Sequence, residues 1–357
     1  MDRTGPGAPG VNVTDSVLIL GGSGFVGTWL ANLLDGMSIP FLIGDLKRSE
    51  AFPNRWVQCD VRSAGSLAGV AARSSVIINL AAEHRDDVRP LERYHETNVD
   101  GASEVCNAAQ GAGIKRIIFA SSVAVYGFPD RPLDEAGPFS PFNEYGKTKL
   151  AAEGIYRTWA AEDPSRTLVI VRPTVIFGEG NRGNVYNLLQ QIASGKFLMV
   201  GNGHNKKSMA YVGNVAAFFA YTLQFAPGVH VLNYVDEPDL DMRQLVAQVR
   251  RCLGMREGLR SMPKPFAMAA AHVIDILAKL TGRTFSVSAI RVRKFCESTQ
   301  FQAGRALGSG FKPPFTLQEG LERTIESEFR RNAASAGFVR KRPADGVPNR
   351  AASGIEE

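Results

Sequence analysis

The chain has 357 residues, 44% hydrophobic and 21% charged, enough for one large domain or a main domain with a smaller companion. No apolar run approaches the roughly 20 residues that cross a bilayer as a helix, and the opening MDRTGPGAPG has no signal-like apolar segment, so the cytoplasm is expected. The formal net charge is +6, and thirteen Lys/Arg against three Asp/Glu fall between Arg243 and Lys312. Such a field suits phosphate-rich or membrane-surface partners, or is simply a solvated basic face; no nucleic-acid-binding signature accompanies it, so no nucleic-acid partner is expected. Cys59, Cys106, Cys252 and Cys296 are scattered without metal-ligand spacing, so reduced thiols and no metal site are expected.

In chain order, residues 1–15 read as a tail rich in Gly and Pro. Val17–Gly27, VLILGGSGFVG, then gives a buried strand, glycines at Gly21, Gly24 and Gly27, and a helix opening at Phe25 and Val26. Strand, glycine turn and helix N-terminus in that order form a pyrophosphate cradle: a tight turn, a close approach to phosphate, and close helix-on-strand packing. FLIGD ends a second strand in Asp45, where a carboxylate can accept from ribose hydroxyls and repel a 2′-phosphate, pointing to NAD. Lys47 and Arg48 follow and keep NADP open. RWVQCDV, a third strand, ends at Asp60–Val61; Asp60 either accepts from an adenine amino group or caps the next helix. VIINLAAEH places the small residues Ala81 and Ala82, after Leu80, at a fourth strand's carboxyl end, and a helix is expected over Glu92–Gln110. RIIFASS is a fifth strand ending in serines. Strands alternating with helices predict an α/β fold, a doubly wound parallel sheet with ligands at the carboxyl ends of its strands.

Ser122 lies at such an end, and the helix over Asn143–Ala161 begins with Tyr145-Gly-Lys-Thr-Lys149. Residues four apart share a helix face, so phenol and ammonium can both point into one cleft. A phenol with pKa about 10 is a poor base at neutral pH; a neighbouring Lys149 cation and an oxidised nicotinamide are expected to favour its phenolate. Tyr145 can then take a proton from a sugar hydroxyl, with Ser122 bonding the same oxygen and Lys149 holding the nicotinamide ribose, which suffices for reversible alcohol oxidation. Asn143 and Glu144 read as caps of this helix.

GGSGFVG, Asp45, Asp60, SSVAVYG, YGKTK and RPTVIFG together resemble the extended short-chain dehydrogenase/reductase family, in its nucleotide-sugar epimerase/dehydratase branch, from Val17 to about Glu328. The resemblance implies a Rossmann domain over 16–178 with a returning segment near 205–235. While the composition of 331–357, where Ala, Gly, Pro and charge replace any periodic pattern, reads as a second tail, the resemblance also implies a smaller α/β substrate region over 179–204 and 236–330 and a homodimer. It makes Ser122, Tyr145 and Lys149 the catalytic trio, and lines the NAD site with Gly21, Gly24, Gly27, Asp45, Asp60, Val61, Leu80, Ala81 and Pro173. Sugar dehydratases of the family carry an Asp-Glu pair where this chain has Val123 and Ala124, which disfavours dehydration and leaves epimerisation or keto reduction. Soluble UDP-sugar epimerases usually show an Asn within the segment here written RPTVIFG and an Arg-Asp pair in place of Lys207-Ser208, so tight uridine recognition is not implied.

AAEHRDDV, NRGNVYNLL, KSMAYVGN and VRKFCESTQF are similar to a membrane-associated bacterial branch of that family acting on sugars joined by diphosphate to a polyprenol. That implies interconversion of lipid-linked GlcNAc and GalNAc by transient oxidation at carbon 4, serving O-antigen or related polysaccharides at the cytoplasmic face of the inner membrane. Candidate substrate contacts are His84, Asn181, Arg182, Asn184 and Lys207; plain polar turns or a surface histidine are the alternatives. A soluble UDP-sugar enzyme, a keto-sugar reductase and a nucleotide sensor also stand as readings, though a sensor needs only the cradle. In PFAMAAAHVIDILAKL, Phe266, Ala270, Val273, Leu277 and Leu280 share one helical face, as expected either of a helix lying in a bilayer interface or of one packed on the protein.

Overall fold

The computed structural model describes residues 16–85, 88–256, 258, 260–281 and 296–331. Both expected tails lie essentially outside them, as do Asp86, Asp87 and the first four residues of VRKFCESTQF. The N-terminal half alternates as expected: β1 (Val17–Leu20), α1 (Phe25–Gly36), β2 (Phe41–Asp45), β3 (Trp56–Gln58), α2 (Ala64–Ala71) and β4 (Val76–Asn79). The third strand is shorter than RWVQCDV, because Cys59 and Asp60 turn away toward α2 and Asp60 N–H bonds Ser66 Oγ at 2.9 Å. Next come α3 (Glu92–His95), α4 (Gly101–Gly111), β5 (Arg116–Ala120), α5 (Glu144–Ala161) and β6 (Thr167–Pro173). Where one helix was expected over Glu92–Gln110, α3 and α4 are joined through a π turn at Glu96–Asp100, which inserts a residue and swings Asn98 inward.

The chain continues through β7 (Val175–Phe177), α6 (Asn184–Ala193), β8 (Met199–Val200), β9 (Met209–Tyr211), α7 (Val212–Tyr221), β10 (Gly228–Tyr234), α8 (Met242–Cys252), β11 (Ser261–Met262) and α9 (Lys264–Thr281). Short helices Gly304–Gly308 and Leu317–Ile325 follow, the latter opened by a Thr316–Glu319 capping box.

Seven strands form one sheet in the order β10-β6-β5-β4-β1-β2-β3, each neighbouring pair parallel. An all-parallel sheet must be covered on both faces, and two apolar clusters do this. Along β1 the side chains alternate between them: Val17 and Ile19 join one, Leu18 and Leu20 the other, all fully buried. Strand order reverses between β1 and β4, opening the crevice where doubly wound sheets bind ligands. A third cluster, around Phe177, Leu189, Tyr211, Val246 and Leu321, holds the two-stranded pairs β7–β9 and β8–β11 and their helices beside that crevice. Among the described residues no helix is long and apolar enough to cross a membrane.

Candidate active site

The glycine turn closes the crevice from below. Gly21 has φ +74°, and a Cβ built on it would stand 2.7 Å from the Ala81 nitrogen, so only glycine lets the loop after β4 cross this turn. A Cβ on Gly27 would lie 2.5 Å from Gly22 Cα, which is what seats α1 against the turn. Gly24 is the N-cap of α1 and supplies no side-chain cap, so the N–H groups and positive dipole at Phe25 and Val26 are left for an anion. Asp45, at the end of β2, accepts from Ser23 N–H at 3.0 Å and Lys47 N–H at 2.9 Å, fixing the loop while its carboxylate stays at the crevice edge. Leu80 N–H bonds Leu20 O at 2.9 Å and Ala81 N–H bonds Asn79 Oδ1 at 3.0 Å, so Leu80, Ala81 and Ala82 present small, fixed backbone opposite the turn. An uncapped helix end, a Cβ-free turn and a strand-end carboxylate at one switch point fit a dinucleotide.

Asp60 is not the helix cap, since Ser63 caps α2 by accepting from Ser66 N–H. Its carboxylate instead grips Arg62 at 3.0 and 2.8 Å, and that hydrogen bonding holds it below the usual carboxylate range. Val61 is buried against Gly101, and Pro173 closes β6 opposite Tyr234.

On the other wall, Ser122 follows β5 and Tyr145 sits in the first turn of α5, whose N-cap Asn143 accepts from Gly146 N–H at 2.9 Å. Gly146 lets the helix meet the serine segment, because a Cβ there would stand 2.6 Å from Ala124 O. The Tyr145 and Ser122 hydroxyls are hydrogen-bonded, and Ser122 Oγ also accepts from Ala124 N–H at 3.1 Å. Lys149, one turn on and 2% exposed, donates from Nζ to Ala120 O at 2.7 Å, with Nζ 5.9 Å from the Tyr145 ring centre. The three residues lie together at the crevice, and the protein's own groups hold the phenol in its protonated form. Burial pushes the Tyr145 phenol up to about 12, which the Ser122 bond only partly opposes. Burial likewise pulls the Lys149 ammonium down to about 7, against the field of Glu153. The protein alone therefore does not make the phenol acidic, because desolvation outweighs the Ser122 hydrogen bond.

Behind the trio lies a buried network that sequence reasoning missed. Glu153 pairs with Arg172 at 2.8 and 2.5 Å and accepts Ser121 Oγ at 2.6 Å; Arg172 reaches Tyr126 Oη at 2.6 Å, and Tyr126 donates to Asn233 Oδ1 at 2.9 Å. Glu153 lies four residues past Lys149 and eight past Tyr145, so helical spacing alone could have placed it on the same face. Asn98, turned inward by the π turn, bonds Glu83 N–H at 2.9 Å and Thr148 Oγ1 at 3.0 Å, tying the β4 loop to α5.

Several of the candidate substrate residues already have protein partners. Asn181 shapes a turn, accepting Gly183 N–H at 2.6 Å and donating to Ile176 O at 2.9 Å. Arg182 turns away to Glu328 at 2.8 Å and lies 4.4 Å over the Tyr186 ring. His84 and Asn184 are exposed. Lys207 is part-buried, donates to Thr299 Oγ1 at 3.1 Å, and is pulled below its ordinary range by burial.

This fold and crevice define an NAD-dependent oxidoreductase-type enzyme of the extended short-chain class, and the chain belongs to the NAD dependent epimerase/dehydratase family, whose model matches residues 17–233. It is 48% identical over 321 residues, 89% of this chain and 96% of the other, to the N-acetyl-alpha-D-glucosaminyl-diphospho-ditrans,octacis-undecaprenol 4-epimerase of Escherichia coli O157:H7. It is 26% identical to the UDP-glucose 4-epimerase of Vibrio cholerae, over 89% of this chain and 96% of that one. Among solved structures, the Thermus thermophilus UDP-glucose 4-epimerase in complex with NAD shares the fold at TM-score 0.68 and 19% identity, covering 87% of this chain and 98% of that one.

Proposed function

We propose that this chain is an NAD-dependent 4-epimerase that interconverts GlcNAc-diphospho-undecaprenol and GalNAc-diphospho-undecaprenol for O-antigen or related polysaccharide synthesis. It would act as a homodimer at the cytoplasmic face of the inner membrane. The observation that carries this reading is the hydrogen-bonded Tyr145–Ser122 hydroxyl pair set over Lys149 at the switch-point crevice. Near-full-length similarity to the E. coli enzyme supports the substrate.

NAD, when bound, supplies a cationic ring beside the phenol and an acceptor for the two electrons that leave carbon 4. Gly21, Gly24, Phe25, Val26 and Gly27 would hold its pyrophosphate, Asp45 its ribose, and Asp60, Val61, Leu80, Ala81, Ala82 and Pro173 the remaining walls. A phenol that burial keeps protonated needs that added positive charge to release its proton, so Tyr145 becomes a base only in the loaded site. Tyr145 Oη then takes the proton of the carbon-4 hydroxyl while Ser122 Oγ fixes the same oxygen. Lys149 holds the ribose and orients the phenol. After the keto sugar turns over, the hydrogen and two electrons taken from carbon 4 would be returned to the opposite face of that carbon while Tyr145 gives the proton back to the carbon-4 oxygen, and the change of face produces the opposite configuration.

The substrate region, 179–204 and 236–330, receives the sugar, and Lys207 is the diphosphate contact. Incubating the enzyme with GlcNAc-diphospho-lipid and NAD, without reductant, should yield GalNAc-diphospho-lipid by chromatography, with far less conversion of UDP-GlcNAc. A stoichiometric need for NADH or NADPH would replace this reading with a reductase, and faster turnover of UDP-GlcNAc would replace the lipid substrate.

A further inference from the structure

The apolar stripe of α9 faces outward. Phe266 is 69% exposed and Val273 57%, the two most exposed large hydrophobic side chains among the described residues, and Ala270 is exposed between them. The helix is held instead by Ala267 and Ala271, 5% and 0% exposed, about 100° round its axis from the stripe. Of the two sequence expectations for this helix, packing of the stripe on the protein is therefore the one the structure contradicts over Phe266–Val273; the side chains of Leu277 and Leu280 lie outside the described set. Small alanines suffice to seat the helix because its base is fixed by backbone: β11 pairs with β8, Met199 N–H bonds Arg260 O at 2.9 Å, and Gly201 N–H bonds Met262 O at 2.9 Å.

The chain leading into the stripe is cationic. Arg251, Arg256, Arg260 and Lys264 are exposed on the approach to the helix. The base of α9 is linked to the proposed diphosphate contact: Met262 of β11 pairs with Val200 of β8, Cys296 Sγ lies 3.9 Å from Val200 O, and Thr299, three residues on, accepts from Lys207 Nζ at 3.1 Å. An exposed apolar helix face led by exposed basic side chains matches an anionic bilayer, in which the apolar tips enter the acyl boundary and the cations meet phosphate headgroups.

We propose that α9 is a bilayer-docking face: Phe266, Ala270 and Val273 enter the interface of an anionic membrane, while Arg256, Arg260 and Lys264 engage its headgroups. This rests on the lipid-linked substrate reading for its purpose, since docking here would hold the enzyme on the membrane that carries its substrate.

The test is co-sedimentation of the full chain with phosphatidylethanolamine–phosphatidylglycerol vesicles and, in parallel, with neutral phosphatidylcholine vesicles. Wild type should bind the anionic vesicles and leave the neutral ones. Phe266→Glu/Val273→Glu should lower partitioning at least about tenfold, and Arg260→Glu/Lys264→Glu should weaken it and reduce its salt sensitivity. Both variants should keep the wild-type melting temperature and its turnover of a water-soluble, short-prenyl GlcNAc-diphosphate. Wild type that ignores anionic vesicles, or a Phe266/Val273 variant that binds like wild type, overturns the proposal. So does a variant that changes only the oligomeric state, which would assign the stripe to a second copy. Turnover of the short-prenyl substrate reads the epimerase assignment separately, because it requires no vesicle.

Discussion

The two walls of the crevice are held in different ways. On the cofactor wall, position is enforced by backbone: Gly21 at positive φ, Gly27 against Gly22, and strand ends locked by N–H to carbonyl bonds. On the proposed substrate wall it is set by long side chains on loops, and these already have protein partners: Arg182 with Glu328, Asn181 within its own turn, Lys207 with Thr299. A wall built from backbone accepts one ligand shape and tolerates little change. A wall built from side chains can be retuned between substrates, as expected of a family that keeps NAD and varies the sugar. Between the walls, α5 belongs to both, carrying Tyr145 in its first turn and Glu153 in its buried middle.

The contrast can be broken by substitution. The largest effect is expected from Tyr145→Phe, which removes the proton-transfer oxygen and leaves the backbone wall intact. Turnover should fall about 100- to 10,000-fold while the purified protein retains bound nucleotide, measured by absorbance after denaturation. Next is Glu153→Ala, which strands the Arg172 guanidinium in the core. Denaturant unfolding should show a loss of about 3–5 kcal/mol, although Glu153 touches neither the cleft-facing phenol nor the glycine turn. Gly21→Ala combines an unfavourable φ with the approach to Ala81, and should cost about 1–3 kcal/mol together with nucleotide retention.

Smaller effects sharpen the substrate side. Lys207→Ala should raise KM for the lipid-linked sugar about tenfold with little change in kcat, and should leave nucleotide content unchanged. The mildest is a pH effect on stability. An unfolded lysine keeps its proton to near 10.5, whereas Lys149 in the folded protein releases it at about 7. Between those values the unfolded chain holds the additional proton, so nucleotide-free protein should gain stability as pH rises from 7 toward 10, and Lys149→Met should flatten that gain in thermal melts.

Much of this was legible in the sequence because backbone constraints leave residue-type signatures. Glycines at fixed spacing, small residues at a strand end and a Tyr-Lys pair one helical turn apart each report a local geometry, and the parallel sheet follows from the alternation of apolar runs. What stayed hidden depends on tertiary distance. Nothing local says that Arg172 on β6 meets Glu153 on α5, or that Asp60 pairs with Arg62 when Ser63 takes the cap. The direction of the Tyr145 shift was also out of reach, since it sets the burial of one phenol against its hydrogen bond to Ser122, and both depend on how α5 packs on the segment after β5. The face α9 turns outward was undecided for the same reason: Phe266 and Ala267 are neighbours in sequence, and only packing decides which one is inside.

The central claim, that Tyr145 exchanges a proton with a carbon-4 hydroxyl during transient oxidation at that carbon, is tested most directly with GlcNAc-diphospho-lipid deuterated at carbon 4. After conversion in ordinary water, the GalNAc product should retain its deuterium at carbon 4, and in heavy water unlabelled substrate should acquire none there. Loss of the label to solvent would mean that carbon 4 is inverted by proton abstraction or by bond cleavage elsewhere, and would contradict the role given to the crevice.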